Sequence, residues 1–307
     1  MSWFVNTPSF EQAWGRLAAC HASFRSQHGP QHLRILGQTG VGKTFLFKRY
    51  LAEHPRRALD DRDLIPVLLV PIPSMPTGKG VYAAILQAMG VANVGNATQE
   101  KLHDRVVTLI RNLGVEMLML DEINHLVDRG RRRTHETVTD LIKELVDAIE
   151  IPTVFAGARR SSELFDTNAQ LRSRVTAVHS LEPFDLDARF MELRGFILSW
   201  LEQSHPPEQA DWLSSEDLAT RIFYATDGMQ RQLALLLNAI PVWGGEQSLS
   251  PELRMPDLAQ LFRDLLWEMA PTALNPFGDK FVYRRLNRRG EPYWPTPLDG
   301  DNHRDPS

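Results

Sequence analysis

The sequence predicts an α/β fold: a five-stranded parallel sheet core, then a small helical domain and an irregular C-terminal tail. Three observations predict it. Short apolar runs alternate with amphipathic stretches as far as Pro183, the pattern of parallel strands covered by helices on both faces. A glycine-rich loop joins the first of these runs to the first of these helices. Beyond Pro183 the apolar residues keep helical spacing only.

The elements follow in order. Residues 1–30 read as an N-terminal helical segment. "HLRILG" (32–37) is a short apolar strand ending in glycine, and "KTFLFKRYLAEH" (43–54) sets Phe45, Leu46, Tyr50 and Leu51 at helical spacing. "LIPVLLVPI" (64–72) is a second strand, followed by the loop "PSMPTGKG" and the helix "VYAAILQAMG". An amphipathic helix over 99–113 leads to "EMLMLDE" (116–122), the third strand. Helix 134–149 aligns Val138, Leu141, Ile142, Leu145 and Ile149. "IPTVFAGA" is then a fourth strand, and "RVTAVHSLEPF" supplies a fifth that reads as buried. Helices are expected near 186–204, 214–225, 229–240 and 256–269. The Pro-, Gly-, Asn- and Arg-rich stretch after them predicts an extended or disordered tail. The implied divisions are 1–30, 31–183, 184–270 and 271–307.

The 307 residues suffice for a sizeable core, and 43% hydrophobic with 23% charged residues is ordinary for a globular protein. No apolar run approaches the roughly 20 residues that span a bilayer, so no membrane partner is expected. "MSWFVNTPSFEQAW" lacks the basic and apolar regions of a signal peptide. A lone cysteine, Cys20, excludes an internal disulfide and argues against a cysteine-based zinc site. These features predict a reduced, cytoplasmic protein. The net charge of −4 argues weakly against nucleic acid, but basic residues cluster in "DRGRRRTH" (128–135) and "KFVYRRLNRR" (280–289).

"GQTGVGKT" comprises Gly37, Gln38, Thr39, Gly40, Val41, Gly42, Lys43 and Thr44 and matches the P-loop pattern between a strand and a helix. Glycines let backbone N–H groups curl around phosphate oxygens, and the helix N-terminus adds partial positive charge. Lys43 is placed to reach the β- and γ-phosphates, and the Thr44 hydroxyl to ligate Mg²⁺. In "MLMLDE" the strand delivers Asp121 beside the metal, and Glu122 can polarise a water for attack on the γ-phosphate. ATP and Mg²⁺ are the cofactors this implies, and ATP hydrolysis to ADP and phosphate the reaction. "QLRSRV" (170–175) sets Arg172 and Arg174 two apart before the fifth strand. From the residues alone they are solvated charges, a DNA contact, or a pair aimed at a nucleotide held by another copy.

Taken together, the P-loop, the Asp–Glu doublet, the fourth strand, the paired-arginine segment and the helical domain resemble the AAA+ ATPases. That resemblance implies that Arg174, with Arg172 as the fallback, is the finger that reaches a neighbour's γ-phosphate, and hence that the chain forms an oligomer. A guanidinium suits the task because it is always charged and forks onto phosphate oxygens. The Gly-x-x-Arg pattern at Gly228–Arg231 resembles the sensor-2 arginine, which implies that Arg231 reaches the γ-phosphate from the lid. One departure stands out. Ala158 occupies the end of the fourth strand, where such proteins commonly carry a polar sensor-1 residue. Thr153 comes too early, Arg159 or Ser161 are the candidate substitutes, and slow hydrolysis is expected.

"LMLDEINHL", "IPTVFAGARRSSELF" and "NAQLRSRV" further resemble the transposition ATPases of the TniB/TnsC type, a likeness covering about residues 8–240. It implies an ATP-dependent regulator that assembles as rings or helical filaments on double-stranded DNA without sequence preference. Such a regulator links a TniQ-like target-selection protein to a transposase. In that family this region lines a pore, which makes Thr77 and Lys79 of "PTGKG" candidate DNA contacts, with Asn96, Thr98 and Lys101 of "NVGNATQEK". Arg129, Arg131, Arg132 and Arg133 face either DNA or a neighbouring subunit in this reading. The tail mixes basic residues with Phe277, Phe281, Tyr283, Tyr293 and Trp294, as a peptide docking on the transposase would, or a non-specific DNA contact. Two other readings share the core motifs. One is a replication-type initiator or helicase loader, which the polar tail after 256–269 disfavours. The other is a nucleotide-switched scaffold with incidental hydrolysis, which Ala158 favours.

Overall fold

The computed structural model describes residues 5–60, 62–128, 132–242 and 254–294, and the side chains of 128–137 lie outside that description. The chain divides into two compact units. One holds residues 12–39 and 43–181, and the other residues 5–11, 40–42 and the described part of 182–296. The boundary at 11/12 falls inside the first helix.

In the first unit five strands form the sheet: β1 (Leu33–Leu36), β2 (Val67–Pro71), β3 (Met117–Asp121), β4 (Thr153–Gly157) and β5 (Ala177–Ser180). Their spatial order is β2-β3-β4-β1-β5 and every pairing is parallel. Every residue of β3 and β4 is buried, which is why "MLML" and "TVFA" carry no polar–apolar alternation. The expectation of a buried fifth strand is corrected. β5 is the sheet edge, pairs with β1 alone and leaves Val178 45% exposed. A short antiparallel pair, Arg57–Ala58 with Asp63–Leu64, lies apart from this sheet.

The helices of this unit are α1 (Pro8–Ala22, from Gln12 onward), α2 (Lys43–Glu53), α3 (Gly78–Ala88), α4 (Gln99–Asn112), α5 (His125–Asp128), α6 (Arg132–Ile149), α7 (Glu163–Thr167) and α8 (Ala169–Arg174). Ile85, Leu86, Val106, Ile110 and Leu145 share one core with Leu118, Leu120 and Phe155 of the sheet. α3 starts before the expected "VYAAILQAMG", because Thr77 caps it by accepting a hydrogen bond from the Gly80 N–H at 3.0 Å. Lys79 therefore sits on the first helical turn, not in a loop. Thr98 caps α4 in the same way, accepting from Lys101 N at 3.4 Å. The two N-termini lie side by side: a Cβ added at Gly78 would stand 2.2 Å from Gln99 Oε1.

The second unit is built on α9 (Phe190–Leu201), α10 (Pro207–Leu213), α11 (Glu216–Thr226), α12 (Gln230–Ala239) and α13 (Met255–Leu265). Leu193, Ile197, Ile222, Leu236 and Phe262 form its centre. Residues 271–294 are irregular apart from a 3₁₀ turn over Thr272–Leu274, but they are neither extended nor free. This corrects the expected tail over its described part. Phe277 (1% exposed) and Leu286 (0%) belong to the helical core, and Asn275 Nδ2 donates to the Ala259 carbonyl at 2.8 Å. The Tyr293 hydroxyl donates to the Ala225 carbonyl, and Arg285 pairs with Asp227. The aromatic residues that suggested a docking peptide pack largely on their own chain.

Candidate functional site

β1 runs directly into the glycine-rich loop, which leads into α2. The Gly37 N–H donates to the Gly157 carbonyl at 3.1 Å, tying the base of the loop to the end of β4. Gly40 and Gly42 adopt φ of 94° and 92°, a left-handed backbone that turns the loop and that side chains resist. Lys43, the first residue of α2, is buried, and its Nζ donates to the carbonyls of Gly37 (2.7 Å) and Gln38 (2.9 Å). Burial lowers its pKa, the charges of Glu122 and Asp121 oppose that shift, and Arg160 adds to it.

β4 lies between the strands that carry the two motifs, and Thr44 and Asp121 nevertheless meet. Thr44 Oγ1 donates to Asp121 Oδ2 at 2.7 Å. Asp121 is buried, and burial raises its carboxyl pKa above the usual range. The Thr44 hydroxyl and the Glu122 N–H (2.9 Å, to Oδ1) act against that rise. A hydroxyl beside a buried carboxylate is an oxygen donor set that fits Mg²⁺, which takes few protein ligands and completes its shell with phosphates and water. Among the described residues no cluster of three or more His, Cys, Asp or Glu offers a fuller metal cage.

Glu122 takes a left-handed conformation, φ 59°, between two ladder contacts: Leu120 pairs with Phe155, and Ile123 N donates to the Ala156 carbonyl at 2.9 Å. The kink lifts Glu122 out of the sheet ladder, and its side chain is half-buried next to Asp121. At the end of β4, Ala158 N donates to Asn124 Oδ1 at 3.3 Å. Ser161, one of the expected sensor-1 substitutes, is buried and donates its hydroxyl proton to the Ala158 carbonyl at 2.6 Å. Its proton is therefore spent on the local turn. Arg159 is exposed on the same turn.

Arg174 ends α8, and it is not a free surface charge. Its Nε and Nη2 pair with Asp147 Oδ1 (2.5 Å) and Oδ2 (2.9 Å), and its Nη1 donates to the Gln170 carbonyl at 3.2 Å. Arg172 is exposed on the same helix. Arg231 falls in the same unit as Gly40 and donates its backbone N–H to the Gly40 carbonyl at 3.0 Å, while its side chain is exposed. Thr77, Lys79, Thr98 and Lys101 are exposed and gather at the neighbouring starts of α3 and α4. Arg131 lies outside the described residues, as do Arg129 and the side chains of Arg132 and Arg133.

Sequence reasoning passed over Asp147, Asn124 and His32. Each gains its place through a residue far along the chain, so spacing carried no signal for it. His32, for instance, is buried and accepts the Thr153 backbone N–H on Nδ1 at 3.1 Å.

A parallel sheet in this order, a P-loop leaving β1, an Asp–Glu doublet ending β3 and a helical unit later in the chain define an AAA+ P-loop ATPase. The family model described as bacterial TniB protein matches residues 2–185, and the chain belongs to the TniB family. Among solved structures, Cdc6p from Pyrobaculum aerophilum superposes with a TM-score of 0.58 at 14% identity, over 87% of this chain and 70% of that one. ORC2 from Aeropyrum pernix, solved as ADPNP–ADP complexes, gives 0.54 at 16% identity over 78% and 64%. ORC1 from Aeropyrum pernix in complex with DNA gives 0.53 at 19% over 85% and 66%, so the chain spans just under two thirds of both Aeropyrum proteins. At these identities the likeness is one of fold. No curated protein matches the sequence. Among the described residues no helix is long and apolar enough to cross a membrane.

Proposed function

We propose that this chain is an ATP-dependent, DNA-binding, oligomeric regulator of DNA transposition that assembles on target DNA and links a TniQ-like target selector to a transposase. The observation that carries the reading is the Thr44–Asp121 pairing beside a complete P-loop, in a chain of the TniB family. In this reading Gly37–Thr44 enclose the nucleotide phosphates, the N–H groups after Gly37 donate to them, and Lys43 transfers its hydrogen bonds from the loop carbonyls to phosphate oxygens. Mg²⁺, held by Thr44 and Asp121, supplies charge neutralisation at the phosphates when bound. Glu122 orients a water and takes its proton as the water oxygen bonds to the γ-phosphorus and the bond to ADP breaks. Arg174 of one copy, with Arg172 behind it, stabilises the charge on the nucleotide of the next, and Arg231 contributes from the helical unit.

Two features suit slow turnover and assembly. Ala158 offers no polar side chain for the attacking water, and the Ser161 proton is already committed. The paired N-termini of α3 and α4 add Lys79 and Lys101 to capped, partially positive helix ends, an arrangement suited to a phosphate backbone of any sequence. Arg131 and Arg132 are further candidate DNA contacts in the proposal. The likeness to the Cdc6p and ORC structures is one of fold and by itself carries no function.

Negative-stain electron microscopy with duplex DNA tests the whole reading. Rings or filaments on DNA are expected with ATP and with a non-hydrolysable analogue, and their loss with ADP. Isolated chains indifferent to nucleotide and DNA would overturn it. Mixing Arg174→Ala with Lys43→Ala chains should restore part of the turnover that each lacks alone, because some interfaces pair an intact pocket with an intact arginine.

A further inference from the structure

We propose that Asp147 is the positioning residue of the arginine finger, holding the Arg174 guanidinium so that one edge of it is presented to the neighbouring copy. The inference rests on the reading of Arg174 as a residue that acts in trans.

The finger sits on a helix too short to hold its own shape. α8 has 6 residues, fewer than an isolated helix needs to persist. Its geometry is set from α6, which grips it at both ends. Asp140 Oδ1 accepts from Asn168 Nδ2 at 3.2 Å, and Asn168 is the N-cap whose Oδ1 receives the N–H groups of Gln170 and Leu171. Two turns further along α6, Asp147 takes both Nε and Nη2 of Arg174 at the other end. Between these grips Leu171 is buried and Val175 follows, also buried, so the backbone under the arginine is fixed as well. Asp140 and Asp147 stand one heptad apart, on the same face of α6. The two carboxylates therefore act as a ruler for α8.

Side chains exposed by 35% and 40% would by themselves describe a surface ion pair of small worth. The count of donors distinguishes this one. A guanidinium carries five N–H groups. The pair with Asp147 uses the Nε–H and one N–H of Nη2, and the Gln170 carbonyl uses one N–H of Nη1. One N–H therefore remains on each terminal nitrogen. Those two are the donors left for phosphate oxygens of a neighbour. With all three nitrogens tethered, the rotamer of a long and flexible side chain is selected before a neighbour arrives, which lowers the entropic cost of engaging it.

The test measures ATP turnover of the full chain on duplex DNA as a function of protein concentration, for Asp147→Asn, Asp147→Glu, Arg174→Ala and the Asp147→Asn/Arg174→Ala double variant. Asp147→Asn should lower kcat of the assembled protein about tenfold or more, as a misplaced group does. Its KM for ATP, and the affinity of the isolated chain for a fluorescent ATP analogue, should stay unchanged. Asp147→Glu should recover part of the rate, and the double variant should be no slower than Arg174→Ala alone. Thermal melting confirms that each variant is folded, and Asp147→Glu carries the test if the carboxamide fails. An Asp147→Asn chain as fast as the parent, or faster, overturns the proposal, as does a double variant slower than Arg174→Ala. If Arg174→Ala itself leaves assembled turnover unchanged, the trans reading of Arg174 falls and this inference with it, a result distinct from a failure at Asp147 alone.

Discussion

The Thr44 hydroxyl donates to Oδ2 of Asp121 across 2.7 Å, closing the first turn of α2 onto the end of β3. The carboxylate is buried, and burial keeps its pKa above the usual range. A buried charge with partial pairing is costly to the fold. Asp121→Asn keeps the shape, lifts that cost and removes the anionic oxygen a divalent cation requires. The melting temperature without nucleotide should hold or rise. The melting shift given by Mg²⁺–ATP should vanish, and turnover should fall on the order of 100-fold. A variant that keeps the nucleotide-dependent shift would place the metal elsewhere.

His32 predicts an acid-sensitive stability. Its buried ring is pushed down to about 4 from 6.5, by burial first and by the Arg174 charge second, with Asp147 opposing. Between those values the unfolded chain binds a proton that the folded chain refuses. Stability is therefore full above about pH 6.5 and declines as pH falls toward 4, by at most about 3 kcal/mol. His32→Asn retains an acceptor for the Thr153 N–H and has no proton to gain. Urea unfolding across this window should show a flatter pH dependence for the variant, and equal slopes would discount His32.

Lys79 and Lys101 are read as phosphate contacts at adjacent helix starts. Replacing either with alanine should weaken binding to duplex DNA of any sequence. Each replacement should also reduce the slope of log affinity against log salt by about 0.9. Fluorescence anisotropy at several salt concentrations measures both quantities. Unchanged slopes would remove the pair from the DNA surface.

Gly228 follows Asp227 at the turn before α12 with φ of 68°, and its carbonyl accepts the Phe184 N–H at 2.9 Å. A Cβ there would stand 2.1 Å from the Phe184 carbonyl oxygen. Both the backbone angle and the close approach exclude a side chain. Gly228→Ala should destabilise the helical unit by about 3 kcal/mol, read by denaturant unfolding.

Phe277 is buried in the core of the helical unit, although it lies in a stretch without regular structure. Phe277→Ala should cost about 3–5 kcal/mol, the range for an aromatic side chain lost from a packed core. A disordered tail would lose nothing, so a thermal melt of the variant separates the two descriptions.

The nucleotide loop and the acidic doublet were legible because their chemistry is local. Consecutive residues set the left-handed turns at Gly40 and Gly42 and place Lys43 and Thr44 at the start of α2. The first four strands were legible for a similar reason, since burial on both faces demands continuous apolar runs. Strand order is not written that way. "TAVHS" reads as a core strand but lies at the edge, because nothing in a short apolar string says whether one neighbour or two will pair with it. The tail misled in the opposite direction: Phe277 and Leu286 follow no period, and their burial depends on a surface built by helices that precede them.

By itself, then, the sequence determined the fold class, the P-loop and the Asp121–Glu122 doublet, all consequences of neighbouring residues constraining one backbone. Only the tertiary structure decided that Asp147 holds Arg174, that the Ser161 proton is spent on the Ala158 carbonyl, and that Thr77 and Thr98 are caps at adjoining helix starts. The Arg174 and helix-start contacts join groups separated by whole elements. Their partners are chosen by how helices pack on a sheet whose order the linear pattern leaves open.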